Sequence, residues 1–192
     1  MKILLAGILA LALTVGWSPE NTHASVVTAN IQVDVAFSFY ISTSDTVPGT
    51  FIGSGDRWDL TYNFSDLLLT PHVVNYLHIM AYNSGGATGF TGDFTLSDTM
   101  FAFASGTQYL TTDLTHWTVT PYGSTGFGQN PGAPIMREGG IWMYDPGYWD
   151  HPATAYFSAQ IYATPEPSTY ALFCLGLGGL AVMKLRKNRR GV

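Results

Sequence analysis

The side chains best equipped for chemistry crowd together near residue 145. Trp142, Tyr144, Tyr148 and Trp149 stand beside Asp145, Asp150 and His151, so flat apolar rings and hydrogen-bonding groups alternate within ten residues. That mixture matches a sugar, whose ring offers an apolar face rimmed by hydroxyls. Trp142, Tyr144, Tyr148, Trp149 and Asp150 are therefore candidate glycan contacts. Aromatic rings are also core material, and the competing expectation is that Trp142 and one tyrosine are buried while the others wedge the loop in place. Asp145 and Asp150 are the pair to consider for glycoside hydrolysis, which needs two facing acids and leaves no local signature.

Other chemistry has less to stand on. The chain has no G-x-S-x-G nucleophile elbow, zinc-protease helix motif, phosphate-cradling glycine loop or calcium loop of alternating acids, so no catalytic residue is assigned and a non-enzymatic role is expected. His72, His78, His116 and His151 lack the close spacing of a zinc triad; His78 is expected to pack in a strand with both nitrogens satisfied. Asp56 and Asp59, or Asp93 and Asp98, offer oxygen ligands that suit calcium. Turn aspartates more often bond their own backbone, and no cofactor is expected.

The elements that must position these groups are strands. Ile31, Val33, Val35, Phe37, Phe39 and Ile41 are apolar at every odd position, with Asn30, Gln32, Asp34 and Ser38 facing the other way, which reads as one long strand with a buried face. Ala155, Phe157, Ala159, Ile161 and Ala163 repeat the pattern. Leu60, Tyr62 and Phe64 alternate after a turn at Gly53 to Asp56, and Phe94 and Leu96 alternate likewise. Val73 to Tyr82 is apolar on both faces apart from Asn75 and His78, as a central strand is. Met100 to Ala104, Trp117 to Thr120 and Ile141 to Tyr144 read as shorter strands, and Ser65 to Leu69 as a helical turn. Tyr122 to Gly140, rich in glycine and proline, reads as a long irregular loop. The fold class is all-β: an antiparallel β-sandwich, with a jelly roll as one form of it.

Both ends carry addresses. Met1-Lys2, the apolar run Ile3 to Val15 and small residues at Thr22 and Ala24 form the pattern of a secretory signal peptide spanning residues 1–24. At the other end stand Pro165-Glu166-Pro167-Ser168, an apolar run from Thr169 to Met183, and a basic cluster of Lys184, Arg186, Lys187, Arg189 and Arg190. The prolines hold the first part extended and outside any helix. About 15 apolar residues at about 1.5 Å each make a marginal transmembrane helix, and the basic cluster acts as a cytoplasmic stop. These three parts in this order resemble the PEP-CTERM sorting signal of Gram-negative bacteria that make exopolysaccharide. The resemblance covers Thr164 to Arg190. It implies that Pro165, Glu166 and Pro167 are recognised by an exosortase, a membrane-embedded cysteine protease-like enzyme, and that the protein passes through the inner membrane to the cell surface or matrix.

Between the ends lies a domain of residues 25–163, followed by the sorting signal at 164–192. Within the domain eleven carboxylates face two guanidiniums, Arg57 and Arg137, a balance of about minus nine. Such a surface repels nucleic acid and anionic lipid. Cys174, the single cysteine, falls in the apolar tail, so no disulfide holds the domain and packing must. The expected function is a structural or interaction role at the cell surface or in the matrix. A carbohydrate-binding module for exopolysaccharide is the second reading, and a secreted hydrolase the third.

Overall fold

From Val27 to Ile41 every odd-numbered residue except Val35 is buried, yet the stretch is not one strand. The structure is a computed structural model that describes residues 24–84, 88–120, 126–127, 134–143, 153–164 and 174–179. In it β1 (Val26–Val33) and β2 (Ala36–Ser42) are separated by a bend at Asp34 and Val35. β1 belongs to one sheet and β2 to another, so the single strand expected over Ile31 to Ile41 is two. The alternation survives because both sheets face the same interior: a chain that crosses from one to the other keeps its odd side chains inside. Asp34 holds the crossing, its Oδ2 accepting from Asn83 Nδ2 at 2.6 Å.

The remaining strands are β3 (Thr50–Gly55), β4 (Tyr62–Leu68), β5 (Asn75–Asn83), β6 (Thr88–Leu96), β7 (Phe101–Phe103), β8 (Tyr109–Thr111), β9 (Trp117–Thr120), β10 (Ile135–Arg137), β11 (Gly140–Met143) and β12 (Ala153–Ala163). Sheet A runs β10-β11-β6-β1-β4, with β8 also beside β6; sheet B runs β3-β2-β5-β12-β7, with β9 also beside β12. Every pairing is antiparallel. Among the described strands, only the successive pairs β2–β3 and β10–β11 share a sheet; every other successive pair lies in opposite sheets. The buried residues of both sheets form one core. All strands of this sandwich lie in one compact unit, Ala24–Thr164.

Aromatic rings join the sheets across that core. Phe37 meets Tyr62 and Phe64 at centroid distances of 5.4 and 6.1 Å, and Phe39 meets Phe64 and Phe94 at 5.4 and 6.2 Å. Trp117 then packs against Phe94 at 5.3 Å and Phe90 at 4.9 Å, and Phe90 against Phe157 at 5.0 Å. These rings are tilted or edge-on, the arrangement their quadrupoles favour.

The same rings explain two departures from the sequence expectation. Gly53 and Gly55 lie in β3 rather than in a turn, because a Cβ on Gly53 would come within 2.5 Å of the Phe64 ring, and one on Gly55 within 2.4 Å of Tyr62 and 2.5 Å of Phe37. Glycine is there to admit an aromatic ring, not to reverse the chain. Residues 65 to 68, expected as a helical turn, continue β4 through a bulge. The β1 register jumps between Val27↔Leu67 and Ala29↔Phe64, and Asp66 takes φ 56, a left-handed conformation that aspartate tolerates better than most residues. The bulge switches the inward parity from Tyr62 and Phe64 to Leu67 and Leu69. Leu60, expected to alternate with them, precedes β4 and is exposed.

Two other expectations come out as follows. β5 is central in sheet B, between β2 and β12. The segment 122–140, read as irregular, contributes β10 and a fully buried Phe127. Residues 174–179 are helical and exposed, and among the described residues no helix is long and apolar enough to cross a membrane. The signal helix and the rest of the C-terminal transmembrane helix expected from the sequence lie outside the described residues.

Replacing Phe94, which is buried and packs against Phe39 and Trp117 of the opposite sheet, with alanine is expected to lower the unfolding free energy by about 3–5 kcal/mol, read from urea midpoints. Gly53→Val is expected to cost about 1–3 kcal/mol through overpacking against Phe64; if the glycine served only a turn, Gly53→Asn would be tolerated better than Gly53→Ala, whereas a close approach makes both destabilising.

Candidate functional site

Of the candidate glycan contacts, the structure places Trp142; Tyr144, Tyr148, Trp149 and Asp150, with Asp145 and His151, lie outside the described residues. Trp142 is half-buried on the outer face of sheet A, opposite Gly89 of β6. A Cβ on Gly89 would come within 2.6 Å of the indole, so the ring lies across a bare stretch of backbone. Its Nε1 donates to Arg137 O at 2.8 Å. The β10–β11 hairpin that carries it turns through Glu138 and Gly139, with φ of 53 and 77, the paired positive values of a type I′ turn. Gly139 O accepts from Thr91 Oγ1 at 3.2 Å and Thr112 Oγ1 at 2.9 Å. The hairpin tip is thereby fastened to the sheet and Trp142 has a fixed orientation.

A second tryptophan, not singled out in the sequence, completes the site. Trp58 is 70% exposed in the turn before β4. Arg57 on one side grips Asp59 on the other through two hydrogen bonds, Nε to Oδ1 at 3.0 Å and Nη2 to Oδ2 at 2.6 Å, and Trp58 O accepts from Gln32 Nε2 at 2.7 Å. Trp58 and Trp142 border one groove of about 170 Å³, floored by Gln32, Asp34 and Thr91. A contiguous depression of about 280 Å³ shares Gln32 and Thr91 and extends to Asn30, Asp93 and Tyr109. Asn30 Nδ2 donates to Asp93 Oδ1 at 2.9 Å, and burial pushes the Asp34 carboxyl above its ordinary value. No local period marks Trp58, because its importance lies in β1 and β6 passing between it and Trp142. The signal that could have raised it is a large apolar residue flanked by charges in a turn, where no buried face awaits it.

On the outer face of sheet B a polar pair is covered by a ring, beside an open depression of about 260 Å³ lined by Tyr76, His116, Thr118, Ser158 and Gln160. His78 and Ser158 are direct partners across β5 and β12, and His78 is completely buried. Its Nε2 lies 2.8 Å from Ser44 O; a carbonyl only accepts, so Nε2 carries the proton and Nδ1 accepts from Ser158 Oγ at 2.8 Å. Phe127 covers the imidazole, centroids 4.1 Å apart, and also meets Tyr40 and Tyr156; Tyr76 stacks at 5.8 Å. A serine hydroxyl donating to a histidine is half of a nucleophile–base pair. Here the base has no open edge through which to pass a proton to a leaving group, and the pair is a satisfied cross-strand tie, as expected for His78. Burial holds the His78 ring below its ordinary pKa, against an opposing pull from Ser44 O and Asp45.

Asp113, His116, Asp59, Asp56 and Asp98 have protein partners. Burial would raise Asp113, but hydrogen bonds from the His116 ring and from the backbone N–H groups of His116 and Thr115 outweigh it and hold the carboxyl below its ordinary value. Asp59 pairs with Arg57, Asp56 accepts from Tyr62 Oη, and Asp98 accepts from Ser25, Ser97 and Met100 N–H. The oxygens considered for calcium thus each serve a local tie, and among the described residues no three His, Cys, Asp or Glu converge.

Because the folded His78 stays neutral below the 6.5 at which an unfolded histidine takes up a proton, its contribution is complete above that pH and is lost as pH falls toward the depressed folded value. His78→Gln is expected to be less stable than the native chain at about pH 7.5 and closer to it at about pH 5.5, in urea midpoints measured on both.

Pro165, Glu166 and Pro167, and the basic residues Lys184, Arg186, Lys187, Arg189 and Arg190, also lie outside the described residues. The sandwich ends immediately before them. Thr164 N donates to Met100 O at 2.8 Å and Thr164 Oγ1 to Thr99 O at 2.6 Å, tying the chain down one residue ahead of Pro165. No curated protein and no solved structure matches the chain. Residues 163–190 match the PEP-CTERM protein-sorting motif, and by that motif the chain is marked for export and for processing by an exosortase.

Proposed function

We propose that this is a non-enzymatic, cofactor-free protein of the cell surface or exopolysaccharide matrix, delivered there by its sorting signal. Residues 1–24 act as a cleaved signal peptide, 25–163 as the exported sandwich, and 164–192 as the exosortase signal. The inner membrane holds the chain only until Pro165-Glu166-Pro167 is processed, with the apolar run as anchor and the basic cluster on the cytoplasmic side. The observation that carries this reading is the junction between fold and motif: the matched residues begin where the last hydrogen bonds of the sandwich end. Cleavage beyond Thr164 therefore removes no strand. The domain's surplus of acidic groups supports solubility outside the cell and opposes a nucleic-acid partner.

Replacing Pro165-Glu166-Pro167 with alanines in an exosortase-bearing host is expected to leave export intact and to trap a full-length, membrane-bound product. The native chain should instead yield a surface or secreted form lighter by about the mass of the terminal helix. Intact-mass measurement of membrane and surface fractions decides it: a native surface form that retains the apolar tail would reduce this stretch to an ordinary anchor.

A further inference from the structure

The outer face of sheet A presents two tryptophans that the core does not require. Trp58 is exposed, and its turn is pinned by the Arg57–Asp59 pair and by Gln32. Trp142 is held by Arg137 O and laid across Gly89. A single exposed indole is ordinary, but two of them bordering one polar groove form the kind of exposed surface that marks a ligand site. Between the two indoles the floor is polar, with an amide, a carboxylate and a hydroxyl from Gln32, Asp34 and Thr91.

We propose that this groove binds an uncharged polysaccharide chain, with Trp58 and Trp142 stacking on sugar faces and Gln32, Asp34 and Asp93 receiving hydroxyls. The inference rests on the surface location proposed above and names the partner met there. Three observations select this ligand. First, the polarity is the reverse of a protein interface, which places its apolar residues at the centre and its polar ones at the rim; here aromatics stand at the rim and hydrogen-bonding groups at the centre. Second, the only two basic side chains of the domain, Arg57 and Arg137, are each paired with an adjacent carboxylate, Asp59 and Glu138. No free cation awaits a uronate, sulfate or phosphate, while Asp34, Asp93 and Glu138 repel them. Third, the groove is smaller than the roughly 300 Å³ at which clefts begin to enclose a drug-sized ligand, yet it continues through Gln32 and Thr91 into the depression beside Asp93 and Tyr109. Shallow and extended along β1 and β6, it fits successive rings of a chain that passes between the two indoles rather than a single enclosed molecule.

Affinity electrophoresis tests the proposal. The full chain in detergent, and separately the product recovered from an exosortase-bearing host, are run in gels containing neutral polysaccharides (β-1,3-glucan, xyloglucan, galactomannan, dextran) or anionic ones (alginate, polygalacturonate). Retardation by at least one neutral polymer and by neither anionic one is expected. Trp58→Ala should weaken it about tenfold or more without shifting the melting temperature, because the indole is exposed. Trp142→Ala should weaken it too, and Trp142→Phe, which still covers Gly89, guards against loss of folding in that variant. Retardation by no neutral polymer, retardation by the anionic ones instead, or a response indifferent to Trp58→Ala overturns the proposal. So does a Trp58-dependent dimer in light scattering, which would make a second copy the occupant. A chain that stays unprocessed in an exosortase-bearing host yet binds neutral glycan in detergent would sink the sorting proposal alone; a processed protein that binds no glycan would sink this one alone.

Discussion

The fold depends on an unbroken run of ring contacts through its interior, from Tyr62 through Phe37, Phe64, Phe39, Phe94, Trp117 and Phe90 to Phe157. Its members alternate between the sheets, so the run is what holds sheet to sheet. The domain has no cysteine, and in an oxidising compartment where disulfides are available to stiffen small domains, this one relies on packing. Glycines in β3 are a consequence: two positions give up their side chains so that Tyr62, Phe64 and Phe37 can close the end of the core.

With the interior assigned to cohesion, the two outer faces are free to differ. That of sheet B is covered in part by Phe127, which lies over His78 and leaves its hydrogen bonds to Ser158 and Ser44 as a buried tie, with an open depression lined by Tyr76, Thr118, Ser158 and Gln160 beside it. That of sheet A stays open, with polar side chains of β1 and β6 on its floor and an indole on either side. Nearly every connection crosses between sheets, which commits the fold to non-local contacts and to slow folding relative to helical domains of similar size. The same crossing is what brings the turn before β4 and the β10–β11 hairpin to one surface although they are some eighty residues apart.

How much was legible follows from the range of the interactions involved. Period-two alternation reports only which side of a strand faces the core, and it placed Phe157, Ala159 and Ile161, and the odd residues from Ile31 to Ile41 other than Val35 at the bend, correctly on the buried side. It could not report which sheet a strand joins, because a chain that bends at Asp34 and crosses the core keeps the same parity. It lost the bulge at Asp66, where two residues oppose one and the parity changes in mid-strand. Gly53 to Gly55 was misread for a related reason: the rings that require glycine there come partly from β4 and are not visible in the local pattern.

The class of fold, the inward faces of the main strands and the sorting motif at residues 163–190 were legible in the amino-acid order, because each is written in neighbouring residues: alternation in a strand, and proline, apolar run and basic cluster in a signal read as a linear peptide. Tertiary packing alone put β1 and β2 in opposite sheets, laid Phe127 over His78 on one outer face and brought Trp58 and Trp142 to one groove on the other. Those facts depend on strands meeting across the sheets, through ring packing and hydrogen bonds between residues far apart in the chain, and no local periodicity encodes such a meeting.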